Sequence, residues 1–223
     1  MKRLSLNLSL YAILIAISIL GVACSKNDVT GAKNENNSSN LTASILALPK
    51  ETLSEEETKS ILHLREEEKL ARDVYYTLNL KYNANVFANI KSSEESHMDT
   101  MLQILNKYGI PDPVATNGIG VFKDSGLQNL YNQLVTTGNQ SLLDAYKVGA
   151  TIEDLDLFDL ADEISLIDNQ DILLVYDNLA KGSRNHMRSF YKNIIAANGN
   201  YSPQFISQNT FDSIINSAME TGF

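Results

Sequence analysis

Proline occurs at only four of 223 positions, 49, 111, 113 and 203. A proline inside a helix removes a backbone donor and clashes with the preceding turn, so its absence from 50–110 and 114–202 leaves room for long helices. Apolar residues in those stretches recur at alternating spacings of three and four, and no segment alternates with period two for long. The expected fold class is therefore all-α. Ser54 with Glu57 three positions on is a capping-box pattern. It opens a first long helix, predicted over 54 to about 80, with the stripe Ile61, Leu64, Glu68, Ala71, Tyr75 and Leu78. The second, about 85–108, carries Phe87, Ile90, Glu94, His97, Met101, Ile104 and Tyr108, and Gly109 and Pro111 stop it. The third, about 141–166, carries Leu143, Tyr146, Ala150, Glu153, Leu157, Leu160 and Ile164. The fourth, about 168–197, carries Ile172, Tyr176, Leu179, Ser183, His186 and Phe190. A long connection with a short helix over 127–135 joins the second to the third, while the other links are short. That pattern suits a four-helix bundle with one long crossover between helices 2 and 3, with a short C-terminal helix near 210–219 packing back on it.

The N-terminus has a different character. Residues 1–24 combine Lys2 and Arg3, an apolar run over 10–22 and a small-residue site ending in Cys24, which reads as a secretory signal and not as a spanning helix. The tail GVAC resembles the lipobox of bacterial lipoproteins, whose signal is cut before a cysteine that is then acylated. The expectation is a signal peptide over 1–23, a lipidated Cys24, and a location in the bacterial cell envelope, anchored to a membrane. Residues 24–52, rich in Asn, Ser, Lys and Thr, read as a flexible tether. Cys24 is the single cysteine, so no internal disulfide or thiolate metal site is available. The chain has 18 Lys and Arg against 27 Asp and Glu. Loss of Lys2 and Arg3 with the signal takes the net charge from −9 to −11, which argues against a nucleic-acid partner.

Each long stripe is interrupted at mid-helix by a metal-competent side chain: Glu68, Glu94 with His97, Glu153, and His186. Antiparallel helices bring mid-helix positions to one level, so these five would converge. Salt bridges offer a different explanation, with Glu68 pairing with Arg72, Glu94 with Lys91, and His186 hydrogen-bonded in the core. Clustered buried carboxylates repel one another and cost several kcal/mol unless compensated, so a cation or protons must hold them. Oxygen and imidazole donors without thiolate favour iron or manganese, with zinc also fitting. The Glu-x-x-His spacing of Glu94 and His97 puts both groups on one face, one turn apart. Tyr75 and Tyr146 lie about two turns from a carboxylate of their own stripes, placed either to relay electrons or simply to pack. Met98 and Met101 read as core filler, and His63, off the stripe, is set aside.

EKLARDVY (68–75) resembles the first ligand helix of rubrerythrin-like proteins, and EESHM (94–98) resembles the second. Together with IEDLDL and GSRNHMRSF, these make the chain similar to a bacterial and archaeal family of ferritin-like domains of unknown function. The resemblance covers about 53–208, followed by a tail over 209–223. It implies a di-iron carboxylate site in which Glu68 is a terminal ligand, Glu94 a bridge, His97 a ligand, Glu153 the carboxylate of the third helix and His186 the histidine of the fourth. Ser183 departs from this pattern, standing where a second Glu-x-x-His expects its bridging Glu, and Asp156 is a candidate to supply the missing oxygen. The function implied is a membrane-anchored non-haem iron oxidoreductase, peroxidase or oxidase, handling oxygen or peroxide with an external electron donor, and a homodimer fits. A non-catalytic metal-binding or protein-interaction bundle is the alternative.

Overall fold

A computed structural model of the chain describes residues 34–222, so the signal and Cys24 expectations lie outside the described residues. Among the described residues there are seven α-helices and no strand: α1 (Asn34–Ala47), α2 (Glu55–Tyr82), α3 (Asn85–Tyr108), α4 (Ser125–Gly138), α5 (Leu142–Ile164), α6 (Gln170–Ala196) and α7 (Gln208–Ile215). None is long and apolar enough to cross a membrane.

The helix ends follow local chemistry. Ser54 Oγ accepts from Glu57 N at 3.0 Å while Glu57 Oε2 accepts from Ser54 N at 2.8 Å, the reciprocal capping box. At the other end of α2, Asn83 takes the left-handed conformation and only Asn83 and Ala84 separate α2 from α3. Gly109, at φ +73, closes α3 and passes the chain to Ile110 and Pro111. Ser141 and Asp124 cap α5 and α4 through their side chains.

The four long helices pack α2 on α3, α3 on α6, α6 on α5 and α5 on α2. Contacts step in opposite directions along each pair: Tyr75–Phe87 and Glu68–His97 between α2 and α3, Gly149–Phe190 and Glu153–His186 between α5 and α6. These pairs are therefore antiparallel. Helix α4 lies against α2 and α5, and α7 against α6.

Two apolar clusters fill the interior. One holds Leu70, Val74, Tyr75, Leu78, Phe87, Tyr146, Met187 and Phe190; the other holds Ile61, Leu64, Met101, Ile104, Leu160, Val175, Tyr176 and Leu179. On α2, α3 and α6 the change from one cluster to the other falls at polar residues, Glu67 and Glu68, Glu94 and His97, Ser183 and His186, while on α5 it falls between Leu157 and Leu160, just past Glu153 and Asp156. The charged layer thus sits at mid-height between two greasy ends.

Within the stretch expected as a tether, residues 34–47 form a helix. Helix α1 packs on α3 and α6, with Leu41 and Ile45 buried in the second apolar cluster. Lys107 Nζ donates to Ile45 O at 2.8 Å and Leu48 O at 3.0 Å, satisfying carbonyls at the end of α1, and pairs with Asp171 at 2.7 Å.

The connection between α3 and α5 is fastened to α2. Arg65 makes a bidentate pair with Asp112, through Nε at 3.1 Å and Nη2 at 2.8 Å. Lys69 donates to Gly118 O, Asp73 accepts from Gly120 N, and Glu66 accepts from the backbone of Lys123 and Asp124. Helix α2 is consequently buried nearly all round from 64 to 71, charged residues included.

Candidate metal centre

All five residues singled out by their stripes meet at one place. Glu68, Glu94, Glu153, His97 and His186 are each at most 7% exposed. They form two overlapping sets, Glu68–Glu94–His97 and Glu94–Glu153–His186, each with one ligand atom per residue within 4.8 Å of the others. Glu94 belongs to both. Its Oε2 lies 2.8 Å from His97 Nδ1 and its Oε1 2.8 Å from His186 Nδ1. His97 Nδ1 is also hydrogen-bonded to Glu68 Oε2 at 3.1 Å, and His186 Nδ1 lies 3.4 Å from Glu153 Oε2.

The pairings of Glu68 with Arg72 and of Glu94 with Lys91 do not form, whereas His186 does have a hydrogen-bond partner in Ser93. Arg72 pairs with Asp73 and Lys91 with Glu95. Among the described residues, no Lys or Arg forms an ion pair with Glu68, Glu94 or Glu153. In the second set, Glu94 Oε1, Glu153 Oε2 and His186 Nδ1 are all buried without a hydrogen bond. The 2.8 Å between Glu94 Oε1 and His186 Nδ1 is close enough for one, but the groups are not aligned for it. Two carboxylate oxygens and one imidazole nitrogen, buried within 4.8 Å of one another, are a group able to hold a cation, and such donors suit iron, manganese or zinc.

Neighbours hold the donors in place. Tyr75 donates to Glu153 Oε1, which orients that carboxylate and leaves Oε2 for the centre. Ser93 Oγ lies 2.9 Å from His186 Nε2; accepting the proton there would leave Nδ1 as a bare donor. Behind His97 stands Gly182, where a Cβ would lie 2.4 Å from the ring Cε1 and 2.5 Å from Nε2. Ser183, at the expected glutamate position, spends its hydroxyl on Leu179 O at 3.2 Å. Asp156 is buried close by with Oδ1 unpartnered, although it is outside both sets.

The electrostatics describe a centre that holds itself with protons when no cation is present. Burial, with Glu94 adding to it and His97 opposing, raises Glu68 to about 7. Burial acts upward on Glu94 too, but His186 and His97 outweigh it and keep that carboxyl below its usual range. For both histidines burial opposes the charge, yet the carboxylates win: His97 is raised well above normal by Glu68 and Glu94, and His186 to about 10 by Glu94 and Glu153. Burial and the charges of Glu67, Glu153, Glu68 and Glu94 push Asp156 well up. Desolvation also lifts Tyr75, with Glu153 and Glu94 contributing, which favours the neutral phenol as donor.

The run Glu66–Glu67–Glu68 shows what stripe reading resolves and what it misses. Successive helical residues point about 100° apart. Glu66 caps the segment leading into α4, Glu68 enters the centre, and Glu67 faces α5, where it groups with His63 and Asp159. His63 lies off the stripe, and its i, i+4 relation to Glu67 is the one sequence signal that links it to this group.

An all-α protein with a buried carboxylate–histidine cluster is the class that fold and site define. The chain belongs to the family described as an uncharacterized protein domain (DUF2202), whose model matches residues 57–218. It is 51% identical over 178 residues to uncharacterized protein MJ0754 of Methanocaldococcus jannaschii, covering 80% of this chain and 96% of that protein. The crystal structure of hypothetical protein MJ0754 is similar to it with a TM-score of 0.77, covering 78% of this chain and 99% of the other.

Proposed function

We propose that the chain is a ferritin-like four-helix bundle, α2, α3, α5 and α6, with one crossover through α4, and that its charged layer holds one or two iron ions, or manganese or zinc in their place. The observation that carries this reading is the pair of overlapping buried sets that share Glu94, Glu68–Glu94–His97 and Glu94–Glu153–His186, three carboxylates and two imidazoles with no Lys or Arg ion pair among the described residues. Glu94 would span the two positions, Glu68 and Glu153 would be outer carboxylates, and His97 and His186 would bind through Nδ1. Iron or manganese held there supplies Lewis acidity and one-electron redox change, which suits dioxygen or peroxide as substrate.

The chain's own contribution is positioning and exclusion of water. Tyr75 fixes Glu153, Ser93 directs the His186 tautomer, and the apolar clusters above and below keep solvent out. Electrons would come from an external donor. Acylation of Cys24, supported by the GVAC signal alone, would place the domain at the envelope membrane.

The test is elemental analysis of protein lacking residues 1–24, purified without chelator, beside a His97→Ala, His186→Ala double variant. One to two metals per chain, lost in the variant, are expected, with the iron-loaded wild type consuming peroxide or dioxygen faster than the variant. Metal content unchanged by the double substitution overturns the site. Loaded protein no faster than the variant leaves a non-catalytic metal binder.

A further inference from the structure

Helices α2 and α5 bring together a second group of donors that the central site does not use. His63, Glu67 and Asp159 each place one ligand atom within 4.8 Å of the other two. None belongs to either central set. The three differ in exposure: the Glu67 side chain is 4% exposed, that of His63 41%, and Asp159 is half-buried. A cation could therefore reach the group from solvent and meet a buried carboxylate at its inner end.

Two observations separate this group from an ordinary acidic patch. First, Glu67 Oε2 is buried without any hydrogen-bond partner, and His63 Nε2, 3.9 Å away, is too far to supply one. Second, no Lys or Arg among the described residues forms an ion pair with Glu67 or Asp159; the two carboxyls face each other and the like charges of Glu68 and Glu163, with His63 opposing at Asp159. A buried carboxylate beside others needs a cation or a shared proton. A His and a Glu at i, i+4 on one helix, with a carboxylate from the facing helix, give one nitrogen and two oxygens, which suits a divalent transition ion.

We propose that His63, Glu67 and Asp159 form a second, solvent-reachable site for a divalent transition cation, independent of the central cluster. The i, i+4 pair supplies the fixed edge of the site, and Asp159 closes it from α5. Because His63 is the exposed member, the ion enters and leaves on its side. Asp156, buried with Oδ1 lacking a hydrogen bond, feels the charge both of Glu67 in this group and of Glu153 in the centre.

The experiment is equilibrium dialysis of the protein against Zn2+, counting bound zinc per chain for wild type, for His63→Ala, for His63→Ala with Asp159→Asn, and for His97→Ala with His186→Ala. The wild type should bind one equivalent more than either His63 variant at the same free zinc. The His97, His186 variant should retain that equivalent whatever becomes of the central ones, so failure of the central reading leaves this one standing. His63 is exposed, so the single variant should fold as the wild type does, checked by its thermal transition. Equal zinc binding by wild type and both His63 variants overturns the proposal and leaves Glu67 and Asp159 as a carboxyl pair sharing a proton.

Discussion

Three neighbouring glutamates have three different duties, and substituting two of them separates loss of stability from loss of metal. Glu66→Ala removes the acceptor of two backbone N–H groups, at 2.6 and 3.2 Å. Orphaned donors cost about 1–3 kcal/mol, so urea unfolding should show that loss with bound metal unchanged. Glu68→Ala should instead lower metal content. Gly182 has no such freedom of replacement: in Gly182→Ala the new methyl would meet the His97 ring at 2.4 Å. Overpacking of this kind costs about 1–3 kcal/mol, and both melting temperature and bound metal should fall together. The central five residues were legible because each interrupts an apolar stripe. Glu67 was not, because the buried surface of α2 is far wider than its stripe and takes in Arg65, Glu66, Glu67, Lys69 and Asp73, and His63 and Asp159, only partly buried, interrupt no stripe. Charged residues buried by a packed connection leave no hydrophobic period to read.

At the scale of elements, the four long helices were legible to within a few residues because their ends carry explicit chemistry, Ser54 with Glu57, Asn83, Gly109 and Ser141. Helix α1 was not. Its segment is polar, and among its described side chains Leu41 and Ile45, one turn apart, show as its buried face. Its place is decided by tertiary partners, the second apolar cluster and the Lys107 ammonium, rather than by its own period. Ile45→Ala should therefore destabilise the protein by about 2–5 kcal/mol, as a fully buried isoleucine does when truncated; a transition midpoint equal to wild type in urea would return α1 to the status of a linker. The segment near 210–219 was expected as a helix and is one over Gln208–Ile215, seated by Phe211 edge-on to Tyr191 at 5.3 Å.

For the whole molecule the charged layer sets a dependence on pH whose sign changes with metal. Without a cation, Glu68 has a folded value of about 7 against an ordinary 4.5. Its contribution is fully present below 4.5 and lost as pH rises through about 7. His186, raised from 6.5 to about 10, adds a contribution present below 6.5 and lost as pH rises through about 10. In chelator, the melting temperature should fall between pH 6 and pH 9. Metal requires deprotonated ligands and releases protons on binding, so the stabilisation given by added Mn2+ should grow over the same range. Calorimetry at both pH values, with and without the ion, checks both slopes.

The two apolar clusters, with the charged layer between them, bear on cooperativity. Each end has its own greasy interior, and mutual repulsion in the layer between weakens the link whenever protons leave and no cation replaces them. Amide hydrogen exchange in chelator at alkaline pH should then resolve two protected blocks opening at different free energies, one on each side of the layer. Filling the layer would merge them, making a bound ion the element that turns two half-structures into a single folding unit.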